Sequence, residues 1–250
     1  MGADAKSRRS FAKTIIIKRV SQLIDHRVGL ETKTNIEPSA SAVQRAIAVR
    51  AMTHIMGSVN NKDALDIACG DGVMARWLAM HGAKVIAFEE SAEMLADARR
   101  VESEEPLGIT YITADPTDMF EIEDTSFDIV TCCMSLERID NLSAVVSEIA
   151  RVIRLGGRFV FAVSHPCFSI EAESPTRTDY FVEEKKNGDP NGVKHRTIST
   201  YFNTLSARGF TVRRVIEPSA EGRDILIYPP AKKWIKTPVA LAVEAVFPKL

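Results

Sequence analysis

The chain has 250 residues, 45% of them hydrophobic and 26% charged, with a mean hydropathy of -0.05, a balance that excludes disordered and collagen-like classes. Thirty-two Lys and Arg against thirty-three Asp and Glu leave a formal net charge of -1, so no global field exists to hold nucleic acid or an anionic membrane. No apolar run approaches the roughly 20 residues that span a bilayer, and one large globular domain outside the membrane is expected.

The N-terminal stretch carries Lys6, Arg8, Arg9, Lys13, Lys18 and Arg19 around the apolar Ile15 to Ile17. Asp4 and Asp25 break its basic character and the apolar stretch is too short for a signal core, so residues 1–40 read as a cationic helical arm or cap over a site. A helix over 41–56 follows from Val43, Ala46, Ile47, Val49, Met52 and Ile55 at helical spacing, with Pro38 and Ser39 as start signals. From Ala64 strands and helices alternate, the pattern of a parallel sheet covered on both faces. Strands are predicted at 64–68, 83–89, 108–113, 127–133 and 157–163, and helices at 73–81, 91–102 and 141–154. Gly82 and Gly156-Gly157 stand as helix stops. The connection over 115–126 is short and acidic.

After Val163 the alternation breaks. Residues 164–196 are polar and rich in turn signals (Pro166, Pro175, Asn187-Gly188, Asp189-Pro190, Asn191-Gly192), the composition of a lid. A helix over 197–208 and strands over 210–216 and 239–247 complete the chain.

The four cysteines, Cys69, Cys132, Cys133 and Cys167, form no C-x-x-C pair and no zinc-like cluster with histidine, so no metal is expected. Cys132 and Cys133 point to opposite faces of one strand. All four read as reduced thiols, which points to a cytoplasmic protein.

The segment Ala64-Leu65-Asp66-Ile67-Ala68-Cys69-Gly70-Asp71-Gly72 runs a buried strand into a turn with two glycines and then a helix, a place where α/β sheets bind phosphates or nucleosides. A dinucleotide fingerprint would need a third glycine where Ala75 stands, and Asp66 and Asp71 would repel a pyrophosphate. This disfavours a nicotinamide-dependent oxidoreductase. Two carboxylates suit a ligand with ammonium and sulfonium groups, which points to S-adenosylmethionine. Glu89, at the end of the second strand, is placed to accept hydrogen bonds from ribose hydroxyls.

Over residues 40 to 247 the chain resembles the class I S-adenosylmethionine-dependent methyltransferases, of the methyltransferase type 11, ubiquinone-biosynthesis-like kind. Leu65 to Gly72 resembles the first motif, Glu89 the ribose-binding acid, Ala114-Asp115 the adenine-binding acid, and Phe127 to Cys133 the fourth-strand motif. Leu136-Glu137-Arg138-Ile139 is similar to the L-E-H-I segment of ubiquinone-type O-methyltransferases, with Arg138 where relatives often carry His. Glu148 to Phe161 resembles the helix and Pro-Gly-Gly turn before the fifth strand, with Leu155 in place of Pro.

The resemblance implies a Rossmann-like, doubly wound α/β fold. Its seven-stranded, mostly parallel sheet would have the order 3-2-1-4-5-7-6, the last strand antiparallel, in one methyltransferase domain over 41–250 with the lid at 164–196. It implies S-adenosylmethionine as cofactor, S-adenosylhomocysteine as product, and Asp66, Ala68, Cys69, Gly70, Gly72, Glu89, Glu90, Met94, Asp115, Pro116, Cys133 and Met134 as cofactor-binding residues. His165, at the end of the fifth strand, and His195, at the far end of the lid beside Arg196, are the candidate bases. Tyr180, Phe181 and Phe168 offer either an aromatic acceptor pocket or anchors for the lid, and Lys185-Lys186 reads as a solvated charge run.

The expected reaction is in-line methyl transfer to an oxygen or nitrogen of a small-molecule acceptor. Two alternatives stand beside it: a protein of the same fold that uses S-adenosylmethionine in a different reaction such as cyclisation, and a macromolecule methyltransferase. Balanced charge and the lack of an Asn-Pro-Pro-aromatic motif argue against a nucleic-acid substrate.

Overall fold

The computed structural model describes residues 39–170, 179–185 and 192–249. The cationic arm predicted over 1–40 lies outside the described residues except for Ser39 and Ala40, as do residues 171–178 and 186–191 of the predicted lid.

Helix α1 (Ala40–Met56) starts where the sequence places it, with the Ser39 hydroxyl accepting from the Ala42 N–H at 3.2 Å. It is buried on more than one side. Val43 and Ile47 pack against Ala231, Trp234 and Val239, while Ala48, Met52 and Ile55 pack with the residues on one face of the sheet.

The sheet is built from β1 (Asp63–Ile67), β2 (Lys84–Glu89), β3 (Thr110–Thr113), β4 (Phe127–Cys133), β5 (Ile153–Ser164), β6 (Thr211–Ile216) and β7 (Ala240–Val246). Its seven strands lie in the order β3-β2-β1-β4-β5-β7-β6. The first five pair in parallel, and β7 runs antiparallel to both β5 and β6, the expected topology. Helices α2 (Val73–Met80) and α3 (Ala92–Glu104) join α1 on one face, and α4 (Leu142–Val152) and α5 (Ile198–Ala207) cover the other. Cys132 packs on the α4 side and Cys133 on the α1 side, the alternation expected of strand neighbours.

The predicted helix over 141–154 ends at Val152. Ile153 is already extended (φ -83, ψ 141) and pairs with Phe127 at the start of β4. Gly156 and Gly157 therefore lie within β5 and do not stop a helix. Phe127 pairs with Ile153 and Ile129 with Arg158, so the chain from Arg154 to Gly157 bulges out between them. A Cβ on Gly157 would come within 2.7 Å of the Arg154 carbonyl oxygen, which a bulge this tight does not admit.

Helix α6 (Gly222–Ile227) and a 3-10 turn over Pro229–Trp234 fill the stretch between β6 and β7 that the sequence pattern leaves unassigned. Glu221 and Asp224 cap α6 reciprocally, and Asp224, 1% exposed, takes both prongs of Arg50 from α1 at 3.0 and 2.9 Å. No helix among the described residues is long and apolar enough to cross a membrane.

Candidate active site

The carboxyl ends of β1, β2 and β4 meet at one edge of the sheet, where open α/β folds bind ligands. After β1 the chain turns sharply, with Ala68, Gly70 and Gly72 at φ 50, 58 and 80. Ala68 is strained there, and Met134, just after β4 at φ 56, is its counterpart. Gly72 is required by crowding: a Cβ would lie 2.6 Å from the Tyr111 hydroxyl and 3.3 Å from Ala98. At Gly70 a Cβ would touch the Met94 methyl at 3.0 Å, which places Met94 against the turn.

Glu89 latches this turn to the end of β2. Its Oε2 accepts from the Gly70 N–H at 2.8 Å and its Oε1 from the Ser91 N–H at 2.9 Å. The Cys69 N–H donates to the Phe88 carbonyl at 2.8 Å. On the β4 side the Ser135 hydroxyl donates to the Ala68 carbonyl at 3.0 Å, and the Met134 N–H to the Ala162 carbonyl at 2.8 Å. The Ala114 N–H, donating to the Glu89 carbonyl at 3.4 Å, draws in the end of β3. Asp66, Ala68, Cys69, Gly70, Gly72, Glu89, Met94, Cys133 and Met134 are thus brought around one edge.

Asp66 is 1% exposed. Its Oδ1 accepts from the Thr131 hydroxyl at 2.7 Å, while its Oδ2 is buried with no hydrogen-bond partner. Burial pushes its pKa up to about 7, against the pull of the Thr131 hydroxyl and of the Ala75 N–H in the first turn of α2. A buried carboxyl with no cation paired to it among the described residues fits a cationic group of a ligand. Asp71 differs from the reading of the two acids as a pair facing the ligand: both its oxygens are held by Arg45 of α1, each at 2.9 Å.

Asp115 folds its carboxylate back on its own turn, with Oδ1 accepting from both the N–H and the hydroxyl of Thr117 at 2.7 Å. Pro116 behind it is buried, and Glu90 is exposed at the end of β2. Burial raises the thiols of Cys69, Cys132 and Cys133 well above the ordinary cysteine range, which leaves them protonated and unreactive.

The two candidate bases share a pocket at the ends of β4 and β5, lined also by Glu137, Ser164, Arg196 and Tyr201. His165 is 2% exposed. Its Nδ1 accepts from the Cys167 N–H at 3.1 Å, which leaves the proton on Nε2 to donate to Glu217 at 2.7 Å. The Nε2 of His195 donates to the Tyr180 carbonyl at 2.8 Å.

Several lid expectations change. His195 and Arg196, read as open to a solvated role, are buried at 7% and 3% exposure, because Arg196 donates to the carbonyls of Leu136, Ile139 and Asp140. Lys185 pairs with Asp140 at 2.9 Å, and Lys186 lies outside the described residues. Phe181 is 87% exposed and anchors nothing. Tyr180 is the anchor, its hydroxyl accepting from the Ile198 N–H at the start of α5 at 3.0 Å.

Three residues were missed in the sequence: Arg45, Thr131 and Glu137. Glu137 belongs to the Leu136 to Ile139 segment, whose departure from the L-E-H-I pattern falls at Arg138. Arg138 is exposed and Glu137 is the buried polar group.

The sheet order, the glycine turn after β1 and the acids on β1 and β2 define the class I, S-adenosylmethionine-dependent methyltransferase architecture. Comparison with known proteins agrees: the family described as "Methyltransferase domain" matches residues 65–161. It is 32% identical over 106 residues to the ubiquinone biosynthesis O-methyltransferase of Sodalis glossinidius (strain morsitans), a match covering 42% of this chain and 43% of that protein. The matched part thus spans less than half the length of the curated relative. An S-adenosylmethionine-dependent methyltransferase from Mesorhizobium loti superposes with a TM-score of 0.69 at 28% identity, over 81% of this chain and 97% of that one. The magnesium protoporphyrin IX methyltransferase of Synechocystis PCC 6803, solved with bound S-adenosylhomocysteine, shares the fold at a TM-score of 0.59 and 16% identity, over 94% of each chain.

Proposed function

We propose that this chain transfers the methyl group of S-adenosylmethionine to an oxygen or nitrogen of a small organic acceptor. The observation that carries the reading is Asp66, a buried carboxyl with no cation paired to it among the described residues, beside a turn that Glu89 holds in shape. In this reading Asp66 receives the ammonium of the cofactor and Glu89 its ribose hydroxyls. Met94, Glu90, Asp115 and Pro116 border the adenine. The backbone of Ala68, Cys69 and Gly70 lies along the ligand, Gly72 lets the turn close, and Cys133 and Met134 face the methionine end.

Bound S-adenosylmethionine supplies a methyl group already activated by its sulfonium. The chain's task is alignment, and holding acceptor and methyl in line supplies an effective molarity of roughly 10⁵ to 10⁸ M. His195 is the better placed of the two candidate bases, since Nε2 is its donor and Nδ1 keeps the lone pair. With both nitrogens engaged, His165 serves to tie the end of β5 to Glu217. Balanced charge supports a small acceptor over a nucleic acid, and four free thiols support a reducing, cytoplasmic setting.

The test is isothermal titration of the wild type and a Glu89→Ala variant with S-adenosylmethionine, S-adenosylhomocysteine and NAD. Micromolar binding of the two adenosyl ligands, lost in the variant, is the expected result. Binding of NAD alone, or of none of them, overturns the reading.

A further inference from the structure

The turn that follows β4 buries an acid to which the cofactor reading gives no part. Glu137 is 3% exposed. Its Oε1 accepts from both the N–H and the hydroxyl of Ser164, the last residue of β5, each at 3.0 Å. Its Oε2 is buried without a hydrogen-bond partner, an unfavourable state for a carboxylate oxygen unless a ligand, a water or a proton meets it.

Arg138, the next residue, acts on the carboxyl through its charge, and the hydrogen bonds of the other nearby cations go elsewhere. The guanidinium of Arg196 donates to the carbonyls of Leu136, Ile139 and Asp140. Lys194 reaches Glu137 through its backbone, N–H to carbonyl at 2.6 Å, while its ammonium acts on the exposed Asp140. Burial raises the Glu137 carboxyl, opposed by its bonds to Ser164, by its own backbone N–H and by the charge of Arg138. On the pocket wall beside it, His195 donates through Nε2 to the Tyr180 carbonyl, so its Nδ1 is a second acceptor. The pocket wall thus carries acceptor atoms of two side chains, Glu137 and His195, with the Tyr201 hydroxyl near the carboxyl and beside Arg196, whose guanidinium is spent on the fold.

Resting on the methyl-transfer reading of the adjoining edge, we propose that Glu137 Oε2, seconded by His195, receives a hydrogen-bond donor of the acceptor, so that the enzyme takes molecules presenting an O–H or N–H group there and rejects carboxylates. Glu137 is then a specificity-determining residue. A site built to accept a hydrogen bond discriminates strongly against a ligand that brings only lone pairs, because both sides are left unpaired.

Three fragments of one shape test this: benzyl alcohol, benzylamine and benzoate, titrated by ligand-observed NMR onto the complex with S-adenosylhomocysteine. The expected result is binding of the alcohol and the amine, with benzoate at least tenfold weaker. In Glu137→Gln, Ser164 holds the amide oxygen in place of Oε1 and the amide NH₂ turns into the pocket. The order then inverts toward benzoate while S-adenosylhomocysteine binding stays within twofold. Preference of the wild type for benzoate, binding of none of the three, or an unchanged order in a folded Glu137→Gln overturns the proposal. Should the variant fail to fold, the wild-type order alone decides. Failure of S-adenosylhomocysteine to bind the wild type is a separate outcome, which overturns the methyl-transfer reading and this inference with it.

Discussion

Arg45 and Asp71 meet as a two-pronged ion pair, Nη1 to Oδ1 and Nη2 to Oδ2 both at 2.9 Å. It staples the helix that precedes the sheet to the turn that follows β1. Both side chains are largely withdrawn from water, at 26% and 17% exposure, so removing one leaves the other poorly paired. Arg45→Ala is expected to lower stability by about 1–3 kcal/mol and to weaken S-adenosylhomocysteine binding by loosening the turn. Arg45→Lys restores little, because an ammonium cannot make the paired contact. Urea unfolding and calorimetric titration check both.

Asp66 makes stability and binding respond to pH in opposite senses. Its folded pKa, near 7, stands above the ordinary carboxylate value, so between about pH 4 and pH 7 the folded state holds a proton that the unfolded state has released. Stability is full below that window and falls as pH rises through it. Asp66→Asn is expected to flatten the fall, measured as Tm against pH. A cofactor ammonium favours the ionised form, so S-adenosylhomocysteine affinity should weaken as pH drops below about 7 with uptake of close to one proton on release. Titration in two buffers of different ionisation enthalpy counts that proton.

The clash built into Gly72 separates two effects that a glycine substitution mixes. Gly72→Ala places a methyl 2.6 Å from the Tyr111 hydroxyl and forces φ of 80 on a residue with a side chain. That hydroxyl is buried without a partner, so Tyr111→Phe alone should hold or raise stability. In the double variant the clash with the hydroxyl is gone, and what remains is the backbone cost, about 1–2 kcal/mol, with the tight 3.3 Å approaches to Ala98 and the ring edge. Thermal unfolding of the four proteins closes the cycle. Equal losses with and without the tyrosine hydroxyl would show that it does not crowd the turn.

Arg196 holds the returning end of the lid through three backbone carbonyls of the segment after β4. Arg196→Met keeps its apolar stem and removes all of these bonds. Faster cleavage between residues 179 and 196 under limited proteolysis is expected, with the sheet left protected. Unchanged cleavage would mean that Tyr180 and Glu183 suffice to hold this segment.

The parts of this fold legible in the sequence are those whose cause is local. The apolar strand Ala64 to Ile67 running into Gly70 and Gly72 announces β1, the turn and α2, and the acid at Glu89 marks the end of β2. The end of α4 was hidden, because Val152 and Leu155 continue the helical spacing while pairing of Ile153 with Phe127 draws the chain into β5. Helix α6 is too short to show a period. Asp71 looked like a ligand contact because its partner, Arg45, lies on a helix earlier in the chain. The burial of Glu137 depends on Lys194 and Arg196 returning over it, a contact between segments far apart in sequence.

The place of β7 in the sheet sets an order of events for a chain made from its N-terminus. β7 lies between β5 and β6 and, among the described residues, is the only strand that pairs with β6. Until residues 240–246 leave the ribosome, β5 presents a bare edge and β6 has nothing to join. The nascent sheet therefore waits with an open, apolar border of the kind that invites pairing with another chain. Its last strand enters as a wedge, closing that border and recruiting β6 in one step.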